Sequence, residues 1–246
     1  MKITSVNNDL VKETAKLLQK KYREEMGLFL IEGEKGISEA IDAGIEIVRL
    51  FINENININC KAVVIETTDS VLSKISDAKS APKCIAVAKQ EKLNINELKT
   101  KNKVLLLEGI KDAGNLGTII RSATAFNVDA IILYGNTIDL YNPKCVRATV
   151  GNLWKTPIFE IKDKTILDKY FAKYERIATL PKGENVCCLK EYKPSAKTLI
   201  MFGSEADGLS DELKNYATKN LTIEMSNKVE SLNLATAVGI ILYNMQ

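Results

Sequence analysis

The chain of 246 residues is long enough for one large domain or two smaller ones, each with a substantial core. Its composition, with 46% hydrophobic and 26% charged residues, is that of an ordinary globular protein and excludes a disordered or fibrous chain. The formal net charge of +3 permits a nucleic-acid partner but does not indicate one, because strong binders concentrate their excess charge on one face.

Histidine is absent, which removes the commonest zinc ligand and the commonest general base near neutral pH. The five cysteines are odd in number and form no C-x-x-C pair, so we expect reduced thiols. The N-terminal residues lack the layout of a signal peptide, and no apolar run is long enough to span a bilayer. The sequence therefore predicts a cytoplasmic protein with no metal and no membrane partner.

The first part of the chain begins with a basic, polar segment. Residues 4–26 have the pattern of one helix with a narrow apolar stripe. A charged side of this kind is usually a solvated face, and the alternative is a surface for a phosphate backbone, which Lys16, Lys20 and Arg23 would contact. Alternating strands and helices then predict a small α/β domain over residues 1–92. The predicted strands are 28–31, 45–52, 62–65 and 84–88, and the predicted helices are 33–43 and 67–75.

The second part alternates in the same way after a polar, weakly periodic segment, 93–102, which we expect to be a linker. Continuous apolar strands between helices predict a mostly parallel sheet covered on both faces, over residues 103–246. The chain ends in a helix that is apolar on most sides, which is typical of a buried helix. The predicted strands are 104–107, 130–133, 176–180, 198–202 and one near Leu221, with helices at 118–126, 143–150, 164–174, from Ser210 and from about Ser231.

Three loops of the second part lie where a parallel sheet binds its ligands, beyond the carboxyl ends of the strands. They are residues 108–117, 203–208 and 225–233. Each is weak evidence alone, because Gly114, Gly117 and Gly208 are also explained as turn residues with positive φ, and Ser231 as a helix N-cap. No G-x-G-x-x-G follows the first strand, which argues against a dinucleotide-binding oxidoreductase.

Three stretches in this order resemble the motifs of the SpoU/TrmH family of RNA ribose 2′-O-methyltransferases. They are LLLEGIKDAGNLGTIIRSATAFNVDAIIL, LIMFGSEADGLS and IEMSNKVESLNLATAVGIILYNM, and the resemblance covers residues 102–246. The stretch FLIEGEKGISEAIDAG, at 29–44, is similar to the ribosomal-protein-like α/β domain of the ribosomal-RNA members. The resemblance implies S-adenosyl-L-methionine as cofactor, structured RNA of 23S ribosomal type as substrate, a deep trefoil knot threaded by the C-terminal segment, and a homodimer through the C-terminal domain.

The resemblance also implies roles for individual residues. An arginine stays protonated in water, so we expect Arg121 to hold the phosphate beside the reacting ribose and lower the pKa of its 2′-hydroxyl, with Glu205 orienting Asn115 or Arg121. Arg147 joins the basic residues expected to contact RNA. The implied catalytic residues are Asn115, Arg121, Glu205, Ser231 and Asn233, and the implied cofactor residues are Gly203, Ile223, Met225 and Leu232.

The chain departs from the family pattern at two prolines, where Ala113 and Glu224 stand instead. Neither change removes an implied catalytic position, so we expect an active enzyme. Two alternatives remain open at this point: the same chemistry on transfer RNA, and an RNA-binding member of the fold that has lost its chemistry.

Overall fold

The computed structural model describes residues 1–53, 56, 58–181, 186–226 and 228–246. The helices are α1 (Asp9–Lys16), α2 (Lys20–Met26), α3 (Glu34–Asp42), α4 (Asp69–Lys74), α5 (Ala113–Ala125), α6 (Pro143–Ala148), α7 (Lys164–Phe171), α8 (Asp211–Tyr216) and α9 (Leu234–Asn244). The strands are β1 (Leu28–Glu32), β2 (Ile47–Ile52), β3 (Val63–Glu66), β4 (Cys84–Lys89), β5 (Lys103–Glu108), β6 (Ala130–Tyr134), β7 (Ile158–Ile161), β8 (Glu175–Thr179), β9 (Val186–Cys188), β10 (Thr198–Phe202) and β11 (Lys219–Thr222).

The described residues form two compact units. The first contains Met1–Lys92 and Asp139–Lys155, and the second contains Leu93–Ile138 and Thr156–Gln246. The segment Asp139–Lys155, which carries α6, therefore packs with the first unit, whereas the sequence pattern placed it in the C-terminal domain. Its aromatic residues explain this, because the rings of Tyr141 and Trp154 lie 4.5 and 5.9 Å from the ring of Phe29 on β1.

The first unit is built on a four-stranded sheet with the order β1-β4-β2-β3. Strand β4 is antiparallel to β1 and β2, and β3 is parallel to β2. The expected single helix at 4–26 is two helices, because the backbone of Gln19 is extended (φ −101°, ψ 134°) between α1 and α2. The break directs Leu17 into the core, where it is 1% exposed beside side chains from β1, β2 and α4.

The second unit is built on a seven-stranded sheet with the order β7-β6-β5-β10-β8-β11-β9. Every neighbouring pair is parallel, which confirms the predicted α/β architecture with a parallel sheet. Strands β5, β6 and β10 in the middle are almost wholly buried, as their continuous apolar sequences predict. The short strands β7 and β9 were not predicted from the sequence.

The expected linker at 93–102 is packed against the second unit and contributes Leu98 to its core. A 3₁₀ helix at Ile95–Thr100 begins with a capping box between Asn94 and Glu97 and buries Leu98 completely. Leu93, Ile95 and Leu98 supply the apolar side of this segment. Because its other residues are mostly polar, the composition of the segment predicted a linker.

Among the described residues, no helix has the length and apolarity needed to cross a membrane. In the same part of the chain, no group of three or more cysteine, aspartate or glutamate side chains is arranged to hold a metal ion.

Candidate active site

Three chain segments meet at the carboxyl edge of the seven-stranded sheet. Strand β5 leads into α5, its neighbour β10 leads into the loop before α8, and β11 leads through residues 223–233 into α9. Because Phe202 at the end of β10 is in register with Leu107 near the end of β5, the loops after these strands start side by side. This is the edge where open parallel sheets bind ligands. Asn227 of the third segment lies outside the described residues.

The first segment positions Asn115 by a helix start that is earlier than predicted. Asp112 caps α5, and its carboxylate accepts a hydrogen bond from the Asn115 amide nitrogen at 2.8 Å. Helix α5 therefore begins at Ala113, and Gly114 and Gly117 are helical residues rather than turn residues. Asn115 thus lies in the first turn of α5, at the sheet edge.

Asn115 is held between side chains from the other two segments. Its Nδ2 donates a hydrogen bond to Oε1 of Glu205, and its Oδ1 accepts one from Nδ2 of Asn233 at 3.1 Å. Asn233 is fixed in turn, because it is the N-cap of α9 and its Oδ1 accepts from the Thr236 amide at 3.3 Å. The three residues form what we call the Asn–Glu–Asn cluster (Asn115, Glu205 and Asn233). The cap of α9 is therefore Asn233 and not Ser231.

A cavity of about 860 Å³ adjoins this cluster. Glu205, Asn233 and Ser231 line it, and so do all four residues implied to bind the cofactor, Gly203, Ile223, Met225 and Leu232. The volume lies in the range of sites for small molecules and cofactors. Most of its wall is apolar, with Leu180, Phe202, Leu209, Leu221, Leu234, Ala237 and Ile241 among the lining residues.

The loop after β10 is closed on itself at Gly203. A Cβ atom at this position would lie 1.9 Å from the carbonyl carbon of Gly208, so the two backbone segments touch. Gly208 has φ +67° and donates its amide to the Ser204 carbonyl at 3.0 Å. The Ser204 hydroxyl also accepts from the Asp207 amide at 3.0 Å. The closed loop places Glu205 and Asp207 on the wall of the cavity.

Two further contacts hold the chain that follows this loop. Oε2 of Glu108, the last residue of β5, accepts from the Ser210 amide at 2.7 Å, and the Tyr134 hydroxyl donates to Oε1 of Glu212 at 2.7 Å. Burial and the hydrogen bond to Glu212 raise the pKa of Tyr134, so its hydroxyl remains a donor at neutral pH. Glu108 was not predicted as a site residue, although its place at the end of a buried strand was a usable signal.

Residues 179–181 also line the cavity and were not predicted from the sequence. Thr179, Leu180 and Pro181 line the cavity, and the Thr222 hydroxyl donates to the Pro181 carbonyl at 2.8 Å. Thr179 is the last residue of β8, and Leu180 and Pro181 follow it at the same edge of the sheet, so the rule that located the other three loops also applies here.

Arg121 does not reach this site within one chain. It is exposed on α5, six residues or about one and two-thirds turns after Asn115, and it does not line the cavity. With the described residues it makes no hydrogen bond or ion pair. Glu224, which replaces a family proline, is paired with Lys190 at 3.0 Å.

The basic residues expected to contact RNA divide into two groups. Lys16 and Lys20 are exposed. Arg23 is only 2% exposed, because Nε donates to Asp139 at 2.7 Å and Nη1 donates to the Leu17 carbonyl at 2.7 Å. A buried arginine whose donors are used inside the protein does not bind phosphate, so its prediction was wrong.

Arg147 also has a structural role. Its Nη1 pairs with Glu32 at 3.0 Å and with Asp77, and only 30% of the side chain is exposed. Two carboxylates pair with it within the first unit, and its contact with RNA stays a prediction.

The fold and the site together define an α/β enzyme that binds a small cofactor at the carboxyl edge of a parallel sheet, beside a fixed polar cluster. The SpoU rRNA Methylase family matches residues 102–243, and the MRM3-like substrate binding domain matches residues 8–86. The chain belongs to the SpoU rRNA Methylase family.

Relatives of similar length support this assignment. The 23S rRNA (guanosine(2553)-2′-O)-methyltransferase RlmP of Bacillus subtilis is 28% identical, over 99% of this chain and 98% of the relative. A 23S rRNA (uridine(2479)-2′-O)-methyltransferase of Streptomyces viridochromogenes is 25% identical, over 98% of this chain and 90% of the relative. The crystal structure of an AdoMet-bound rRNA methyltransferase from Sinorhizobium meliloti matches with a TM-score of 0.89 at 28% identity, covering 99% and 96% of the two chains.

Proposed function

We propose that this protein transfers the methyl group of S-adenosyl-L-methionine to a ribose 2′-hydroxyl of ribosomal RNA. The observation that carries the proposal is the Asn–Glu–Asn cluster, which stands beside a cavity lined by Gly203, Ile223, Met225 and Leu232. The named relatives are 2′-O-methyltransferases of 23S rRNA, and the S. meliloti relative binds AdoMet.

The cavity suits the proposed cofactor in size and in chemistry. A volume of about 860 Å³ accommodates a nucleoside with an amino-acid tail, and the apolar walls suit an adenine ring. In this proposal, backbone groups of the lining loops read the edge of the base. When bound, the cofactor supplies an electrophilic methyl group on a positively charged sulfur.

We assign the Asn–Glu–Asn cluster to positioning. Both polar ends of the Asn115 amide are engaged, so its orientation is set before the ribose arrives. Glu205 fixes Asn115 by a charge-assisted hydrogen bond, which is stronger than a bond between neutral groups. Methyl transfer requires the sulfur, the methyl carbon and the ribose 2′-oxygen to lie in line, so orienting the ribose contributes effectively to the rate. Ser231, exposed on the cavity wall, is assigned to the same ribose-binding side.

In this proposal Arg121 assists loss of the 2′-hydroxyl proton to solvent water as the methyl group is transferred to the oxygen. A guanidinium keeps its proton, so it acts by holding the phosphate beside the ribose and lowering the pKa of the hydroxyl through its charge. Because Arg121 is exposed and away from the cavity of its own chain, we propose that it serves the site of a second copy.

A homodimer through the C-terminal domain would bring the arginine of each chain to the other site. Helix α9 packs on α5, which carries Arg121, and it exposes Ile240 and Tyr243 (39% and 68% exposed). Apolar side chains of this size on one helix are suited to burial by a partner subunit. The trefoil knot and the cytoplasmic location remain predictions from the resemblance and from the composition.

Ribosomal RNA is favoured over transfer RNA by the first unit. Residues 8–86 match a substrate-binding domain, and Lys16 and Lys20 are exposed there for contact with phosphates. The two named 23S rRNA relatives modify different bases, guanosine and uridine, so the proposal specifies the ribose and leaves the base open.

The test is methyl transfer from tritiated cofactor to ribosomal RNA from a strain that lacks this protein, followed by mapping of the modified nucleotide. We expect one labelled ribose, and no transfer despite cofactor binding would contradict the proposal. Arg121→Ala and Asn115→Ala should each be inactive while retaining cofactor affinity. If Arg121 acts across a dimer, an equal mixture of the two variants should recover up to about a quarter of wild-type activity, because half of the dimers then contain one complete site.

A further inference from the structure

The charged groups on the cavity wall are unevenly distributed. Among the described residues that line it, three have charged side chains: Glu205 and Asp207 on the closed loop, and Lys214 on α8. The wall therefore carries a net charge of −1 near neutral pH, and its described part contains a single cation.

This pattern complements the charges of the proposed cofactor. S-adenosylmethionine has a cationic sulfonium, a cationic ammonium and an anionic carboxylate, which together make +1. The two acidic residues attract the sulfonium and the ammonium but repel the carboxylate. The carboxylate needs a cationic partner to enter a partly apolar cavity, since burial of an unpaired charge is costly.

Lys214 can provide that partner, because its present ion pair is weak. Its Nζ lies 3.2 Å from Asp211, whose side chain is 92% exposed. An ion pair between exposed side chains on one helix contributes little, because water screens both charges. Lys214 can therefore leave Asp211 for a carboxylate inside the cavity at little cost in free energy. The new ion pair is stronger because it is less solvated.

The position of Lys214 is well determined by its surroundings. Ser210 caps α8, Leu213 is completely buried, and Glu212 is bonded to Tyr134. Helix α8 is thereby fixed at the residues immediately before Lys214, so the lysine stem leaves the helix at a defined place on the cavity wall.

We propose that Lys214 binds the carboxylate of the cofactor's methionine end and thereby selects the intact amino acid over analogues that lack this group. The proposal rests on the proposed function, since it names a recognition element of the same cavity. It makes Lys214 a specificity-determining residue and assigns it no part in the methyl transfer itself.

The test is calorimetric titration of the full-length protein with S-adenosylmethionine and with decarboxylated S-adenosylmethionine, which keeps the sulfonium and the amine. Wild-type protein should bind the intact cofactor about tenfold more tightly than the decarboxylated analogue, as expected for a hydrogen bond between charged groups. Lys214→Met should lose about tenfold in affinity for the intact cofactor and change its affinity for the analogue less than about twofold. Lys214→Arg should retain most of the discrimination.

Two controls separate recognition from structure. Lys164→Met removes a comparable surface lysine, which pairs with Asp168 on α7 at 3.0 Å and does not line the cavity, and it should change neither affinity. Asp211→Asn should preserve or slightly increase the affinity for the intact cofactor, because it frees Lys214.

Equal binding of both ligands by wild-type protein would overturn the proposal, and so would an equal loss for both in Lys214→Met. A loss in Asp211→Asn as large as that in Lys214→Met would overturn it too, since the ion pair would then be structural. Failure of wild-type protein to bind S-adenosylmethionine at all would instead overturn the proposed function.

Discussion

The closed loop at Gly203 allows a sharp test, because adding one methyl group there has a defined steric effect. In Gly203→Ala the new Cβ would lie 1.9 Å from the carbonyl carbon of Gly208 and 2.1 Å from the Leu209 amide nitrogen. Real Cβ atoms stay at least 3.0 Å from such neighbours, so one backbone segment must move by about 1 Å. No side-chain rotation relieves the clash, since the neighbouring atoms belong to the backbone.

The expected cost follows from this displacement. Overpacking of a well-packed site costs about 1–3 kcal/mol, and a clash between backbone segments belongs at the upper end. A loss of about 3 kcal/mol corresponds to a decrease in melting temperature of about 6–12 °C for a chain of this size. Because the loop lines the cavity, affinity for S-adenosylmethionine should fall by about 100-fold or more, which calorimetry and thermal denaturation would measure together.

Gly208→Ala is the matched control. A Cβ at Gly208 meets nothing within 4 Å, but the residue has φ +67°, so only the backbone conformation is penalised, by about 1 kcal/mol. If Gly203→Ala keeps the melting temperature and the affinity of the wild type, the steric reasoning is wrong. If Gly208→Ala is as damaging as Gly203→Ala, backbone conformation and not the clash controls the loop.

Three other substitutions test the remaining structural conclusions. Arg23→Ala should lower the free energy of unfolding, measured in urea, by about 3–5 kcal/mol, because it leaves the mostly buried Asp139 carboxylate without its cation. A loss smaller than about 1 kcal/mol would contradict the buried pair. Leu98→Ala should cost about 2–5 kcal/mol, whereas a linker residue would cost almost nothing. Burial raises the pKa of Glu32 above its ordinary value of 4.5, so the folded chain holds this proton more tightly than the unfolded chain does. The resulting stabilisation is present below pH 4.5 and is lost as the pH rises through the folded pKa. The unfolding free energy of wild type relative to Glu32→Gln should therefore fall across that window, and a constant difference would refute the assignment.

The convergence of the site was predictable because it follows from topology. Parallel strands end at one edge, so loops after different strands meet there even when they are distant in sequence. Asn115 lies 90 residues before Glu205 and 118 before Asn233, yet the resemblance placed all three at one site, and Asn115 is hydrogen-bonded to both of the others. Their roles in methyl transfer remain predictions.

The errors came from contacts that local sequence does not encode. Arg23 belongs to a basic, polar stretch that is typical of an exposed helix face, and its partner Asp139 lies 116 residues away. Composition likewise suggested a linker around Leu98, because polar residues outnumber the apolar ones that pack inward. In both cases a few long-range contacts outweigh the average character of the segment.

The start of α5 at Ala113, five residues before the predicted one, differs from these errors because the local sequence contains a signal for it. Asp112 is a preferred N-cap residue, but the glycines that follow suggested a turn. The cap has a consequence for the site, since it brings Asn115 into the first helical turn. Had the helix begun at Thr118 as predicted, the position of Asn115 would depend on a flexible loop.

Two helix starts and one closed loop therefore determine the geometry of the Asn–Glu–Asn cluster. Asn115 is placed by the start of α5, Asn233 by its own role as the cap of α9, and Glu205 by the loop that Gly203 allows to close. None of these positions depends on a core side chain that could repack after substitution. A change in the amide of Asn115 should consequently affect transfer while the cavity stays intact, whereas a change in the backbone at Gly203 should affect cavity and cluster together. Comparing cofactor affinity with transfer rate in these two variants separates the two contributions.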